Sequence, residues 1–240
     1  VVEEEEVTEE AIEIAGYNKV APTSETITIK VEGNVINFWY NKRTDLSYTV
    51  NYLEQGTDKV LAEPKVVTNQ EYGKKVTENA IDIPGYDKVA PTSETITIID
   101  GDNVINFYYT KRTDLSYTVN YYEEGTTTSV APSKTVTGQT YKATVNEEAI
   151  NVFGYNKVEP TAKSITIELE NNVINFYYNK RTDLQYTVRY LEEDTKIELH
   201  DAKAVTGKTY MSEVTEDAVI IDGYVVVGET NQTVTLDEDN

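Results

Sequence analysis

Along Tyr117-Thr-Val-Asn-Tyr-Tyr122 the side chains alternate, with Tyr117, Val119 and Tyr121 on one face and Thr118, Asn120 and Tyr122 on the other. Period two, carried by aromatic and β-branched residues, predicts a half-buried strand. Val104-Ile-Asn-Phe-Tyr-Tyr109 reads the same way: Ile105, Phe107 and Tyr109 point inward, Val104, Asn106 and Tyr108 outward. Thr95-Ile-Thr-Ile98 and the stretch near Ser133–Val136 predict two more strands. Between them lie turns. Glu123-Glu-Gly-Thr126 places Gly125 where positive φ is needed, and Asp100-Gly-Asp-Asn103 has the Asp-Gly chemistry of a hairpin. Gly138, like Asn69 and Gly207 at the matching positions, closes the second strand with a residue type that accepts left-handed backbone.

One element breaks the alternation. Thr8, Thr77, Asn146 and Thr215 each precede an acid (Glu9, Glu78, Glu147, Glu216), and Ala11, Ala80, Ala149 and Ala218 follow. A capping side chain, first-turn negative charge and Ala predict a helix start. Gly16, Gly85, Gly154 and Gly223 come five residues after the Ala and limit that helix to one or two turns. Ile81-Asp-Ile83 reads alternatively as a strand entry.

These elements recur. Asn34–Thr49, Asn103–Thr118 and Asn172–Thr187 are nearly identical and stand 69 residues apart. The spacing divides the chain into a partial copy at 1–45, full copies at 46–114 and 115–183, and a fourth at 184–240 that lacks a match to Asn172-Val-Ile-Asn-Phe176. A 69-residue unit is long enough for a small domain of its own. The expected fold is mainly β (α+β), with about five strands and one short helix per copy. The joint Lys111-Arg-Thr-Asp114 has no Gly, Pro or Ser spacer, and Leu46, Leu115 and Leu184 follow the joints as candidate seam plugs. An elongated rod is expected, rising on the order of 30–40 Å per copy. A fourth copy without its closing strand, beside an orphan copy of that strand near the start, makes head-to-tail self-association a further expectation.

Charge and composition narrow the function classes. The net charge is −21, with acid gathered toward the ends in Glu3–Glu6 and Asp237–Asp239. No basic patch exists to neutralise phosphates, so nucleic acid is not an expected partner, and anionic membrane surfaces are disfavoured. Cysteine is absent, which removes disulfides and zinc–thiolate sites. No apolar run approaches the length of a membrane span.

No catalytic signature is present, and neither enzymatic activity nor a cofactor is expected. His200, the one histidine, has Ala62 and Ala131 as counterparts. Asp100, Asp102 and Asn103 fall short of the six to eight oxygens calcium takes. Lys and Asn beside Asp or Glu are ingredients of an intramolecular isopeptide bond, a question the sequence leaves open. Tyrosine is frequent, and much of it repeats in register. Tyr17, Tyr86, Tyr155 and Tyr224 follow the glycines and are expected to pin the helix end to the core. Trp39, Tyr108 and Tyr177 fall on the polar face with Thr95, Thr97, Asn106, Thr118 and Asn120. An aromatic ring among hydroxyls and amides suits stacking on a sugar, and equally suits a cross-strand pair on an exposed sheet.

Tyr117-Thr-Val-Asn-Tyr121, Gly125, Val136-Thr-Gly138, Gly154-Tyr155 and Val173-Ile-Asn-Phe-Tyr-Tyr178 together resemble the MucBP-type repeat, the mucin-binding-protein module of Gram-positive surface adhesins. The resemblance implies tandem ubiquitin-like β-grasp domains in a wall-attached protein outside the cell. Ig-like β-sandwich beads are the alternative. It implies a stalk segment projecting a binding region, or repeats that bind host mucin or other glycans weakly and multivalently. No binding residue of the family is carried over; Trp39, Tyr108 and Tyr177 rest on the alternation alone.

Overall fold

A computed structural model describes residues 5–57 and 59–237. Glu3, Glu4, Glu238 and Asp239 of the acidic ends lie outside them. The chain divides into two compact units, Val1–Arg112 and Thr113–Asn240.

The first unit runs β1 (Glu6–Glu10), β2 (Tyr17–Val20), β3 (Ser24–Thr28), β4 (Trp39–Lys42), β5 (Leu46–Glu54), β6 (Val60–Gln70), β7 (Lys75–Asn79), β8 (Tyr86–Lys88), β9 (Ser93–Thr97) and β10 (Val104–Lys111). From β5 to β10 it builds one full copy of the repeat. A mixed sheet has the order β6-β5-β10-β8, with β5 and β10 parallel and the outer pairs antiparallel; β7 and β9 form a separate antiparallel ribbon. The core lies under the parallel pair. Tyr48, Val50 and Tyr52 of β5 and Ile105, Phe107 and Tyr109 of β10 pack with Val76, Ala80 and Ile98. The inward and outward sets of β10 follow the alternation of the sequence.

The second unit repeats this plan. It runs β11 (Leu115–Glu123), β12 (Ser129–Gln139), β13 (Thr144–Glu148), β14 (Tyr155–Lys157), β15 (Ala162–Thr166), β16 (Val173–Lys180), β17 (Leu184–Leu191), β18 (Glu198–Lys208), β19 (Glu213–Asp217) and β20 (Asn231–Thr235). The sheet β12-β11-β16-β14 and the ribbon β13-β15 match the first unit's full copy. The hairpins β17-β18 and β19-β20 begin the next copy, as β1-β3 and β2-β4 end the earlier one.

The expected helix is absent: every described element is a strand. Thr77-Glu-Asn79 belongs to β7 and pairs with β9 from Lys75↔Thr97 to Asn79↔Ser93. The acid was the misleading signal. Glu78 is not a first-turn surface charge but shares the inward face with Val76 and Ala80, and its side chain is only 13% exposed. It accepts the Tyr48 hydroxyl at 2.6 Å and both of its oxygens meet Lys65 Nζ. Thr77 faces the other way and shares a hydrogen bond with Thr95. Two parallel neighbouring strands need a long crossover, usually a helix; here a two-stranded ribbon takes that position. A β-grasp with one helix per copy is therefore not the fold. An Ig-like sandwich of antiparallel sheets does not fit the parallel β5–β10 pair either.

Two turns also differ from expectation. Asp100-Gly-Asp-Asn103 is no hairpin, because β9 and β10 are not paired. The loop passes between layers and is closed by Asn103, whose side chain accepts from Ile99 N (2.8 Å) and donates to Ile99 O (3.0 Å) and Ser47 O (3.1 Å). Gly138 (φ 70°) and Asn69 (φ 57°) lie inside the long second strand, at the register shift between Leu115↔Gln139 and Tyr117↔Val136 and its equivalent. Left-handed backbone there supports a bulge rather than a strand end. Ile81-Asp-Ile83 is not a strand; the short edge strand is Tyr86–Lys88.

Candidate functional site

The outer face of the mixed sheet is lined by the residues that alternate with the core. In the second unit Asn120 and Asn175 are direct parallel partners, and their side-chain amides bond at 3.0 Å. Ser133 Oγ donates to Asn120 Oδ1 at 2.8 Å. The next outward pair is Tyr122 and Tyr177, with ring centroids 6.5 Å apart. Lys163 reaches over from the ribbon. Its Nζ lies 5.4 Å from the Tyr177 centroid and donates to Asn175 O at 2.6 Å. Hydroxyphenyl rings and an amide pair thus lie along one strip of surface, with the Lys163 ammonium about as near the buried Phe176 ring (5.6 Å) as the outward Tyr177.

The first unit carries a poorer version. Asn51 and Asn106 bond at 2.9 Å, and Tyr108, 41% exposed, stands opposite Leu53 rather than a ring. The counterpart of Lys163 is Glu94. Trp39 is 69% exposed and lies opposite Val20 of β2. The three predicted aromatics therefore occupy equivalent positions in separate copies. Of the polar residues expected beside Tyr108, Asn106 shares its strand and face, whereas Thr95 and Thr97 belong to the ribbon sheet. Thr118 and Asn120 line the strand beside Tyr177. Lys163 escaped the sequence reading because nothing in the local pattern links it to a ring one strand further on.

A second constellation, not foreseen, recurs three times. Tyr48–Glu78–Lys65, Tyr117–Glu147–Lys134 and Tyr186–Glu216–Lys203 each place a carboxylate between a phenol and an ammonium. The lysine hydrogen bond, then the tyrosine one, hold Glu78 and Glu147 below the usual carboxylate range. Burial first and Glu78 second push Tyr48 up to about 12; for Tyr117, also about 12, the bond to Glu147 comes first. Recurrence of all three residues at the 69-residue spacing was the signal available in the sequence. The arrangement braces ribbon against sheet and holds no reactive group free.

The third constellation is the joint between copies. In the first unit Arg43 Nε and Nη2 grip Asp45, each at 2.9 Å, while Nη1 donates to Asp100 Oδ1 at 2.6 Å. Asp100 Oδ2 accepts Gly16 N at 3.1 Å, and Tyr72 N donates to Arg43 O at 2.9 Å. Tyr17 meets Tyr72 edge to face at 5.5 Å. Tyr17 thus packs on the following copy and pins no helix end. Asp100 is a joint acceptor rather than part of a calcium loop. The second unit repeats the joint: Arg181 grips Asp183, Tyr210 N donates to Arg181 O, and Phe153 and Tyr155 both meet Tyr210 edge to face. Leu46 and Leu115 are buried in the cores of their own copies.

His200 stands exposed, edge to face with Tyr190 at 5.3 Å, its Nδ1 3.0 Å from Asp201 O. A carbonyl can only accept, so that contact calls for the Nδ1–H tautomer. Among the described residues no cluster of three or more His, Cys, Asp or Glu could hold a metal ion. No described helix is long and apolar enough to cross a membrane, which says nothing of a β-barrel.

No family model and no curated protein matches the chain. Solved structures similar to it include Mub-RV and the Bacillus anthracis TIE protein. The crystal structure of Mub-RV shares 13% identity at a TM-score of 0.22, over 56% of this chain and 98% of that one. The Bacillus anthracis TIE protein shares 12% identity at a TM-score of 0.38; the match takes in 98% of this chain but about half of that protein's length, 57%.

Proposed function

We propose that the chain is a structural stalk segment of a bacterial cell-surface adhesin, placed outside the cell at the wall and without enzymatic activity. The joint carries this reading. In each unit an Arg–Asp grip, a backbone bond from the next copy's Tyr and an edge-to-face aromatic contact stand where a flexible linker would otherwise be. A stalk that projects a binding region needs successive copies held at a fixed angle, and a joint locked by both backbone and rings supplies it. The MucBP-like motifs support the surface location. Small-angle scattering of the 240-residue chain tests the reading: a single elongated particle is expected. A compact particle, or a broad distribution of bent shapes, overturns it.

A second reading is favoured by the Asn120–Asn175 and Tyr122–Tyr177 strip, with Lys163 within reach of Tyr177. Amides that donate and accept, next to half-exposed rings, match the hydroxyls and apolar face of a sugar. On this reading the copies themselves bind host mucin or other glycans, weakly at each site and more tightly together. A glycan array comparing the unaltered chain with Tyr108→Ala and Tyr177→Ala decides: loss of signal in the variants supports the strip, and equal or absent binding rejects it.

A further inference from the structure

In each full copy the first and last strands are direct neighbours and run parallel. β5 opens the copy at 46–114 and β10 closes it; β11 and β16 do the same at 115–183. Parallel partners start at one end of the sheet and finish at the other. The chain therefore enters a copy at one end of this ladder, at Leu46 or Leu115, and leaves at the opposite end, at Lys111 or Lys180. Three residues then lead from the closing strand into the next opening strand, Arg112–Asp114 after β10 and Arg181–Asp183 after β16. No Gly or Ser spacer takes up slack there. A pull along the chain reaches the two parallel strands directly and acts along them, in opposite directions.

That geometry decides how a copy yields. A hairpin pulled at its two free ends peels open one bond after another. Parallel strands pulled from opposite ends must slide, and sliding stretches every bond of the ladder at once. A hydrogen bond of about 2.9 Å is lost once it passes about 3.5 Å, so the ladder either holds or fails whole within a short displacement. Six residue pairs share the pull in each copy, from Val104↔Thr49 to Tyr109↔Glu54 and from Thr118↔Val173 to Glu123↔Tyr178.

The ladder is fastened where sliding would act. At its start Thr49 N donates to Asn103 O at 2.9 Å and Asn103 Nδ2 donates to Ser47 O at 3.1 Å; Thr118, Asn172 and Ser116 repeat both bonds. At its finish Gln55 N donates to Tyr109 O at 2.8 Å and Glu124 N to Tyr178 O at 2.9 Å. On the outer face the amide bonds Asn51–Asn106 and Asn120–Asn175 add a rung across the middle. On the inner face Tyr52 stacks on Phe107 and Tyr121 on Phe176, contacts that a slide of one residue would break. Val50, Ile105, Val119 and Phe176 are sealed from solvent, so water cannot reach the ladder from that side to replace stretched bonds.

We propose that the β5–β10 and β11–β16 pairs, with their amide rungs, are shear clamps through which the copies carry tension along the chain. The use of that tension in a surface stalk rests on the function proposed above; the clamp itself rests on strand order and register. A copy of this size is marginal at rest. Unfolding under force, however, is governed by the rate of crossing the barrier rather than by equilibrium stability. The parallel ladder raises that barrier for a pull from the chain ends and leaves it low for a pull across the strands.

The test is single-molecule force spectroscopy of the 240-residue chain held by its two ends. A copy of 69 residues, at about 3.4 Å of extended chain each and about 35 Å from end to end when folded, should lengthen by about 200 Å on rupture. Two events of that size are expected, one for each full copy. The comparison holds copy 46–114 by Thr49→Cys and Val104→Cys, opposite residues of the ladder that both face outward, in a chain otherwise free of cysteine. The same ladder then peels, and it should open at several-fold lower force, while the urea midpoint stays with that of the unaltered chain. Asn106→Ala should lower one of the two end-held rupture forces and leave the urea midpoint in place. Equal force in the two geometries overturns the clamp, and so does release of the full copies in many small steps under an end-held pull. An Asn106→Ala rupture force equal to the unaltered one removes the amide rung from the proposal. Scattering keeps clamp and stalk apart: an elongated chain that yields as easily in shear as in peeling overturns the clamp alone, and a compact chain with strong clamps overturns the stalk alone.

Discussion

The ring of Tyr72 lies against the α-carbon of Gly16, so closely that a β-carbon there would collide with the ring carbons. Tyr210 covers Gly154 in the same way in the second unit. Glycine is required at these joints twice over, by its positive φ (81° and 77°) and by the ring on its face. Gly223 separates the two causes: its φ is also 81°, but among the described residues no atom beyond its chain neighbours lies within 4 Å of the added carbon. Gly223→Ala should cost the ordinary left-handed penalty of about 1–2 kcal/mol. Gly154→Ala should cost more, because Tyr210 must also leave its place between Phe153 and Tyr155. Urea unfolding of the two variants measures the difference; equal costs would show that the ring does not hold the joint.

The two faces of β16 make a second contrast. Phe176 is fully buried and stacks near Tyr121, at 6.3 Å between centroids, while Tyr177 faces outward. Phe176→Ala should destabilise by about 3–5 kcal/mol, through lost transfer energy and the cavity left behind. Tyr177→Ala should cost only about 0.5–1.5 kcal/mol, the range of a half-exposed aromatic pair. Thermal melts followed by near-ultraviolet circular dichroism distinguish the two.

The strands and their inward faces were legible because alternation is a local signal: Ile105, Phe107 and Tyr109 could be assigned inward without knowing what covers them. The ribbon was not, because the composition of Thr77-Glu-Asn-Ala80 serves a helix start and a strand equally well. What decides between them is Tyr48, 30 residues earlier, whose hydroxyl needs the Glu78 carboxylate inside. The hairpin at Asp100-Gly101 failed for the same reason. Turn chemistry fixes the local bend, but whether the flanking strands pair depends on β5 offering β10 a parallel edge. The outward position of Trp39, Tyr108 and Tyr177 was legible, whereas Lys163 and the Arg43 grip join residues with no shared local period.

Stability should fall on both sides of neutrality, and the Tyr–Glu–Lys braces set the direction. Glu78 and Glu147 have folded pKa values below their ordinary ones, so their contribution is present above about pH 4.5 and is lost as pH falls through the lowered value. Tyr48 and Tyr117 are raised to about 12, so their contribution is complete below pH 10 and is lost as pH rises from there through about 12. Melting temperatures should be highest between these windows. Tyr117→Phe should flatten the alkaline decline of its own copy while leaving that of Tyr48. An alkaline limb unchanged by Tyr117→Phe together with Tyr48→Phe would count against the braces as its origin.

Asn103 and Asn34 hold equivalent loops with unequal consequences. Both close the turn on itself: Asn34 accepts from Lys30 N at 2.9 Å and donates back to Lys30 O, as Asn103 does with Ile99. Asn103 is in addition buried and reaches Ser47 O on β5, and Thr49 N donates to its backbone carbonyl at 2.9 Å, so it fastens the loop to the strand beside which β10 must lie. Removing its amide breaks its bonds to Ile99 and Ser47, a loss of about 1–3 kcal/mol in all. Asn34→Ala strips an exposed loop that water can solvate. Asn103→Ala should therefore destabilise its copy clearly and Asn34→Ala by about 0.5 kcal/mol or less, compared by denaturant unfolding. Equal effects would mean that the loop's own bonds, rather than its tie to β5, set its worth.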